Sequence, residues 1–213
     1  MNALARCRAL ALPSALALLL AGCATGMDKN QCAAADWRTV GFEDGLRGAS
    51  ADRIGVHRTA CAKFQVTPDL PAYLEGRERG LQQYCQVANG FRVGLNGAGY
   101  DSVCTPAQEP AFLAAYRQGR EIYDARSALR HTQSQLRSAR DGLARNETAI
   151  ANTTTEIALP QTPAERRGVL AAELVRLAQE RANLVRRIDD LALRTQQLAD
   201  DVRALERRSP FPV

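Results

Sequence analysis

The chain has 213 residues, 46% of them hydrophobic and only 5% aromatic, with a formal charge of +5. Basic and acidic residues alternate along its C-terminal half instead of forming a basic stripe, which argues against nucleic-acid binding. His57 and His131 are the only histidines and no C-x-x-C pair occurs, which argues against a zinc or redox site.

Arg6 and Arg8 precede an apolar run from Ala9 to Leu20 that ends in Leu20-Ala21-Gly22-Cys23. The run is too short to span a bilayer, which needs about 20 residues, and it has the length and basic flank of a signal-peptide core. Leu-Ala-Gly-Cys resembles the bacterial lipobox. That resemblance implies a lipoprotein signal peptide over residues 1–22, cleavage before Cys23 and lipidation of the Cys23 thiol, with palmitate among the acyl chains. An ordinary signal peptide with a chance cysteine is the other reading. Multiple acylation would anchor the chain stably, because one acyl chain alone binds only marginally. Ala24 stands where enterobacterial inner-membrane retention wants aspartate, so the expected address is the outer membrane on its periplasmic face; the inner membrane is the alternative. Residues 23–31 then form a short lipidated tether, and removal of Arg6 and Arg8 with the signal lowers the charge to +3.

Residues 32–105 are expected to form a small helical domain. Cys32, Cys61, Cys85 and Cys104 are an even number in an oxidising compartment and read as two disulfides. Asp36 is placed to cap a helix reaching Gly48, and Ser50 or Asp52 to cap a second running to about Phe64. Taken as an antiparallel pair, these helices bring Cys32 to Cys61 and leave Cys85–Cys104 to close a turn-rich loop. The other two connectivities stay open. Each closure contributes about 3 kcal/mol in the chain-entropy model, which matters for a domain this small and poor in aromatics.

A third helix is expected from about Leu70 to Tyr84. It carries Tyr73-Leu74-Glu75-Gly76-Arg77-Glu78, echoed by Tyr116-Arg117-Gln118-Gly119-Arg120-Glu121 as a Y-x-x-G-R-E repeat. Tyr73, Gly76, Gly80 and Tyr84 share a helical face, as do Phe112, Tyr116, Gly119 and Tyr123; Trp37, Gly41 and Gly45 make a third stripe. Glycine inside a helix costs ~1 kcal/mol against alanine. The expected offset is close helix approach, a ring of one helix lying over a glycine of the next, so that the stripes form the small domain's core and lock it to the root of the C-terminal helices. Asn89 to Tyr100, with Gly90, Gly94, Gly97 and Gly99, matches neither phosphate-binding glycine pattern and reads as a turn-rich loop.

The run Asp36-Trp37, Gly41, Asp44-Gly45, Cys61, Tyr73, Gly76, Gly80-Leu81, Tyr84-Cys85 continues through Asn89-Gly90, Gly94, Gly97, Tyr100 and Val103-Cys104 to Tyr116, Gly119 and Tyr123. Over about Cys32–Tyr123 it resembles the domain of unknown function 2799 family of proteobacterial envelope lipoproteins. The resemblance implies the envelope location and brings no catalytic residue.

From Pro106 to Arg208 the pattern changes to heptads. Ile122, Leu129, Leu136, Leu143, Ile150 and Ile157 recur every seven residues, as do Leu170, Leu177, Leu184, Leu191, Leu198 and Leu205. The signature is that of a coiled coil. The break at Leu159-Pro160-Gln161-Thr162-Pro163 is too short for a parallel return, so the halves pair antiparallel. Each facing pair of numbers sums to 327, which also sets Ala125 on Val202, Thr132 on Thr195, Ala139 on Ile188, Asn146 on Arg181 and Thr153 on Leu174. The polar Asn146/Arg181 layer is expected to fix the register. Thr162-Pro163-Ala164-Glu165 reads as a capping box with proline at the first helical position. Arg117/Glu121, Arg120/Asp124, Arg137/Asp141, Arg176/Glu180 and Arg186/Asp190 mark solvated faces. The column spans 35 residues, a rod about 50 Å long at ~1.5 Å per residue; residues 209–213 are a tail.

The fold class is therefore all-α: a disulfide-stapled helical domain followed by a long antiparallel hairpin. No nucleophile or metal-protease constellation occurs. Glu43 and Asp44 beside Trp37, with Glu75 and Glu78 near Tyr73, could form a sugar-cleaving pair but read as helix-surface acids. The expected function is a non-enzymatic outer-membrane lipoprotein, a structural or protein-interaction module in the periplasm with no catalytic residue, metal or cofactor. Its partners are the membrane, through the lipid, and a protein or a second copy through Val169, Val175, Val185 and Leu193. The alternative is a periplasmic ligand-binding or glycan-acting domain with a pocket under the Cys85–Cys104 loop, lined by Trp37, Tyr84 and Tyr100.

Overall fold

The computed structural model describes residues 27–213; the signal peptide and the Cys23 lipidation site lie outside the described residues. Those residues are helical without strands and form α1 (Lys29–Ala33), α2 (Trp37–Leu46), α3 (Arg53–Ala62), α4 (Leu70–Tyr84), α5 (Val87–Leu95), α6 (Glu109–Ala158) and α7 (Ala164–Arg208). The segment expected as tether already enters α1, because Asp28 and Gln31 close a capping box on each other's backbone. Asp36 caps α2 as expected, accepting from the Arg38 amide. Asp69 caps α4 by accepting from Ala72. Neither Ser50 nor Asp52 caps α3 with its side chain: Asp52 occupies the cap position without a side-chain bond, and the Arg53 amide takes the Ser50 carbonyl.

Two glycine-faced helix pairs carry the small domain. α2 packs its backbone closely on α4, whereas α3 meets α2 only through side chains at Asp44 and Trp37. A methyl on Gly41 would stand 2.0 Å from the Tyr73 carbonyl oxygen, and one on Gly76 1.9 Å from that of Arg38. The expected close approach therefore occurs, but main chain meets main chain; rings do not cover these glycines. Rings do close the ends: Tyr84 lies against Gly48 and Tyr123 against Gly97, both glycines at φ +71°, a conformation open to few other residues. The stretch expected as a turn-rich loop contains most of α5, whose Gly90 and Gly94 face α6 as Gly41 and Gly45 face α4. In α6 the buried positions of this contact are Phe112, Ala115 and Gly119, with Tyr116 and Tyr123 half-buried.

These pairs are copies of one unit. Gly41-Phe42-x-x-Gly45-Leu46-x-Gly48 recurs as Gly90-Phe91-x-x-Gly94-Leu95-x-Gly97, and Pro71-Ala72-Tyr73-Leu74, Gly80 and Tyr84 recur as Pro110-Ala111-Phe112-Leu113, Gly119 and Tyr123. Gly80 meets the Phe42 carbonyl and Gly119 that of Phe91; Arg77 donates to Ala49 O and the Tyr116 hydroxyl to Ala98 O. The Y-x-x-G-R-E echo is thus one helical turn out of the structural register, since Tyr73 corresponds to Phe112. Period decides this: a shift of four residues keeps a helix face, so sequence similarity alone does not choose between the registers.

Both expected disulfides form, Cys32–Cys61 and Cys85–Cys104, each with Cα atoms 5.6 Å apart. The first ties α1 to α3, and the second ties the end of α4 to the segment before α6. Cys32, Trp37, Ile54, Cys61 and Tyr73 form one core cluster; Tyr84, Cys85, Cys104 and Phe112 form another.

α6 and α7 fold back on each other as the hairpin. Ile122 packs with Leu205, and a methyl on Gly142 would stand 3.4 Å from the Leu184 side chain, in the expected register. Of the proposed core, Ile122, Leu136, Leu170 and Leu177 are buried, while Leu129, Leu143, Ile150, Ile157, Leu184, Leu191, Leu198 and Leu205 are half-buried, because two helices cover only one side of a seam. Arg181 is not buried in the polar layer. It swings out to Glu147, at 3.1 Å, leaving Asn146 buried alone with its amide on the Leu177 carbonyl and its Oδ1 without a partner. The capping box at Thr162 does not form either. Pro163 is the N-cap, and the Thr162 hydroxyl donates to Glu156 O, closing the first helix instead. Of the surface pairs, Arg120/Asp124 and Arg176/Glu180 form, whereas Arg186 turns to Asn183. At the root, Phe211 of the tail stacks on Phe91 of α5 with centroids 4.8 Å apart. α6 therefore belongs to both units: its head completes the second glycine pair and its remainder is half of the rod.

Candidate functional site

Buried charge is concentrated at one place, where α2, α3 and α4 meet. Asp44 of α2 is 3% exposed. Its Oδ2 lies 2.8 Å from His57 Nε2 of α3 and accepts from the Tyr73 hydroxyl of α4 at 3.0 Å. Burial above all, and then the adjacent Asp44 charge, pushes the Tyr73 phenol far above its usual range, so it remains a donor. Asp44 Oδ1 faces the guanidinium groups of Arg47 at 3.6 Å and Arg53 at 4.0 Å. These are ion-pair separations, too long for hydrogen bonds. Above it opens a depression of about 430 Å³ that also takes in Ser50, Asp52 and Asp101. From sequence Asp44 reads as a surface acid; its helical spacing to Trp37 and Gly41 gives no sign that α3 covers it.

The remaining carboxylates of the supposed sugar-cleaving set stay outside. Glu43 pairs with Arg47 and Glu75 with Arg38, all four side chains at least half-exposed. Nor do Trp37, Tyr84 and Tyr100 line a common pocket. Trp37 sits in the first core cluster, and Tyr100 packs on Phe112 and Tyr116, its hydroxyl donating to Glu109 and accepting from the Cys104 amide. The Cys85–Cys104 segment is closed down by these contacts. Among the described residues no group of three or more His, Cys, Asp or Glu side chains could hold a metal ion, and no helix is long and apolar enough to cross a membrane.

The second candidate is the outer surface of the rod. Val169, Val175 and Leu193 are 57%, 60% and 58% exposed, and Val185 is half-buried. They combine with the half-covered seam leucines to leave apolar area in water along much of α7.

Residues 36–121 match the family described as "Protein of unknown function (DUF2799)". The match starts at the cap of α2 and ends in the head of α6, so it takes in both glycine pairs and leaves the rod outside. No curated protein and no solved structure matches the chain.

Proposed function

Residues 36–121 belong to this family of unknown function, and from that premise we propose that the chain is a non-enzymatic, lipid-anchored envelope protein whose stapled base carries a rod for contact with protein partners. The observation that carries the reading is the rod itself: a hairpin of two helices of 50 and 45 residues with most of its seam only half-covered. An isolated two-helix seam with exposed valines and leucines is a surface that gains by being covered. The base suits a support. Its helices touch through main chain at glycines, two disulfides cross it, and Phe211 clamps the rod's end onto α5. The lipobox at Leu20–Cys23 supports the anchor, with the outer membrane, facing the periplasm, as the address.

Two measurements test this in intact bacterial cells. Cys23→Ser should abolish incorporation of labelled palmitate and move the protein from the membrane to the soluble periplasmic fraction; unchanged membrane retention would remove the anchor. A photo-crosslinking residue at Val175 or Leu193 should give discrete adducts that are absent when it is placed at exposed Arg137. Equal adducts at both places would refute a specific partner surface.

A further inference from the structure

The duplication shows what the fold itself requires at each position, and Asp44 is not among those requirements. In the second pair the position of Asp44 is filled by Val93 and that of Tyr73 by Phe112, and both join an apolar cluster. The same main-chain approach at the glycines is achieved there without buried charge. Moreover, the connection from Gly48 to Pro71 is ten residues longer than that from Gly97 to Pro110, and the extra length holds α3, which delivers Arg53 and His57. Burying a carboxylate costs free energy even when partners are found for it. One copy of the unit thus bears a cost that its twin avoids.

The arrangement of the groups indicates what is gained. His57 and Tyr73 occupy one oxygen of Asp44 and fix the carboxylate, and Asp44 together with the two arginines nearest its other oxygen lines the depression. Arg47 and Arg53 stand beside that oxygen without reaching hydrogen-bond distance. The depression, about 430 Å³, is of the size that small-molecule sites have. It offers the guanidinium groups of Arg53 and of Arg47, the latter also paired with Glu43, both suited to a carboxylate, next to an immobilised acceptor suited to an ammonium group. Asp52 and Asp101 on the rim reinforce the acceptor side.

We propose that this depression is a binding site for a small zwitterion of the α-amino-acid type, its ammonium on Asp44 Oδ1 and its carboxylate between Arg47 and Arg53. A simple anion would face three carboxylates, and a simple cation two guanidinium groups; a molecule bearing both charges satisfies each set. The site is independent of the rod and of any partner docking there.

The full chain, purified in detergent, is screened by saturation-transfer NMR against mixtures of the common L- and D-amino acids. Any responding compound is then titrated by calorimetry beside its amide, which lacks the carboxylate, and its N-acetyl form, which lacks the ammonium. The expected result is saturable binding at millimolar concentration or tighter, weakened at least tenfold in both capped forms. Arg53→Gln alters a half-exposed side chain and leaves the core intact. It should weaken binding at least tenfold with an unchanged circular dichroism spectrum, as should Asp44→Asn if that variant folds. The absence of any response, undiminished binding by either capped form, or undiminished binding by folded Arg53→Gln would each overturn the proposal.

Discussion

Gly80→Ala places the main-chain packing of the base under direct test. The added methyl would lie 2.2 Å from Phe42 O and 2.8 Å from Leu46 N. Carbon and oxygen in contact need about 1 Å more, and neither atom can rotate away because both belong to the backbone of α2. The helices must separate, which also opens the contacts at Gly41, Gly45 and Gly76. Overpacking of this kind costs about 3 kcal/mol at the upper end of its usual range. Alanine returns ~1 kcal/mol of helix propensity, leaving a net loss of about 2 kcal/mol, or a Tm lower by about 4–8 °C for a chain of this size. Trp37 is the single tryptophan and sits in the first core cluster, so its fluorescence during urea titration reports on this unit without the rod. Gly55→Ala in α3 of the same unit is the matched control: nothing lies within 4 Å of its added methyl, and it should gain about 0.5–1 kcal/mol by propensity alone. A Gly80→Ala midpoint equal to or above that of the parent would show that the helices are not held at main-chain contact.

Buried groups set two further outcomes. Asn146→Leu removes the partnerless Oδ1 and should stabilise the hairpin by about 1–2 kcal/mol, read by thermal circular dichroism; destabilisation would mean that the Leu177 carbonyl bond outweighs the orphaned oxygen. The raised phenols set the alkaline limit. Burial pushes Tyr84 up to about 12, and Tyr73 and Tyr100 are also raised, chiefly by burial. A folded-state value above the unfolded one means that the folded protein holds its protons longer. The contribution of Tyr84 is therefore complete below about pH 10 and is lost as the pH rises through about 12, and those of Tyr73 and Tyr100 have the same sign. Absorbance titration should show these three phenols ionising above the ordinary tyrosine range, with the urea midpoint falling as they do; ionisation of all three near pH 10 would contradict the burial.

Local and periodic features were legible in the residues themselves. The seven-residue columns name the rod, its antiparallel sense and its register, because apolar spacing selects a helix face without reference to anything distant. Asp36 as a cap and the even cysteine count are similarly local. What covers a residue is not local, and the missed features were of this kind. α5 resembled a loop because its glycines violate helix propensity; close approach to α6 offsets that cost, and only the assembled pair contains that contact. The Y-x-x-G-R-E echo suggested the wrong register because a four-residue shift preserves a helix face, whereas the backbone clashes at Gly80 and Gly119 admit one alignment. Asp44 became a buried site only when α3 was laid over it. Arg181 escaped the seam because a long side chain can reach Glu147 in water for less free energy than burial beside Asn146. Composition and period specify which faces are apolar; the proximity of distant backbones decides which glycines, which carboxylate and which half of the seam are hidden from solvent.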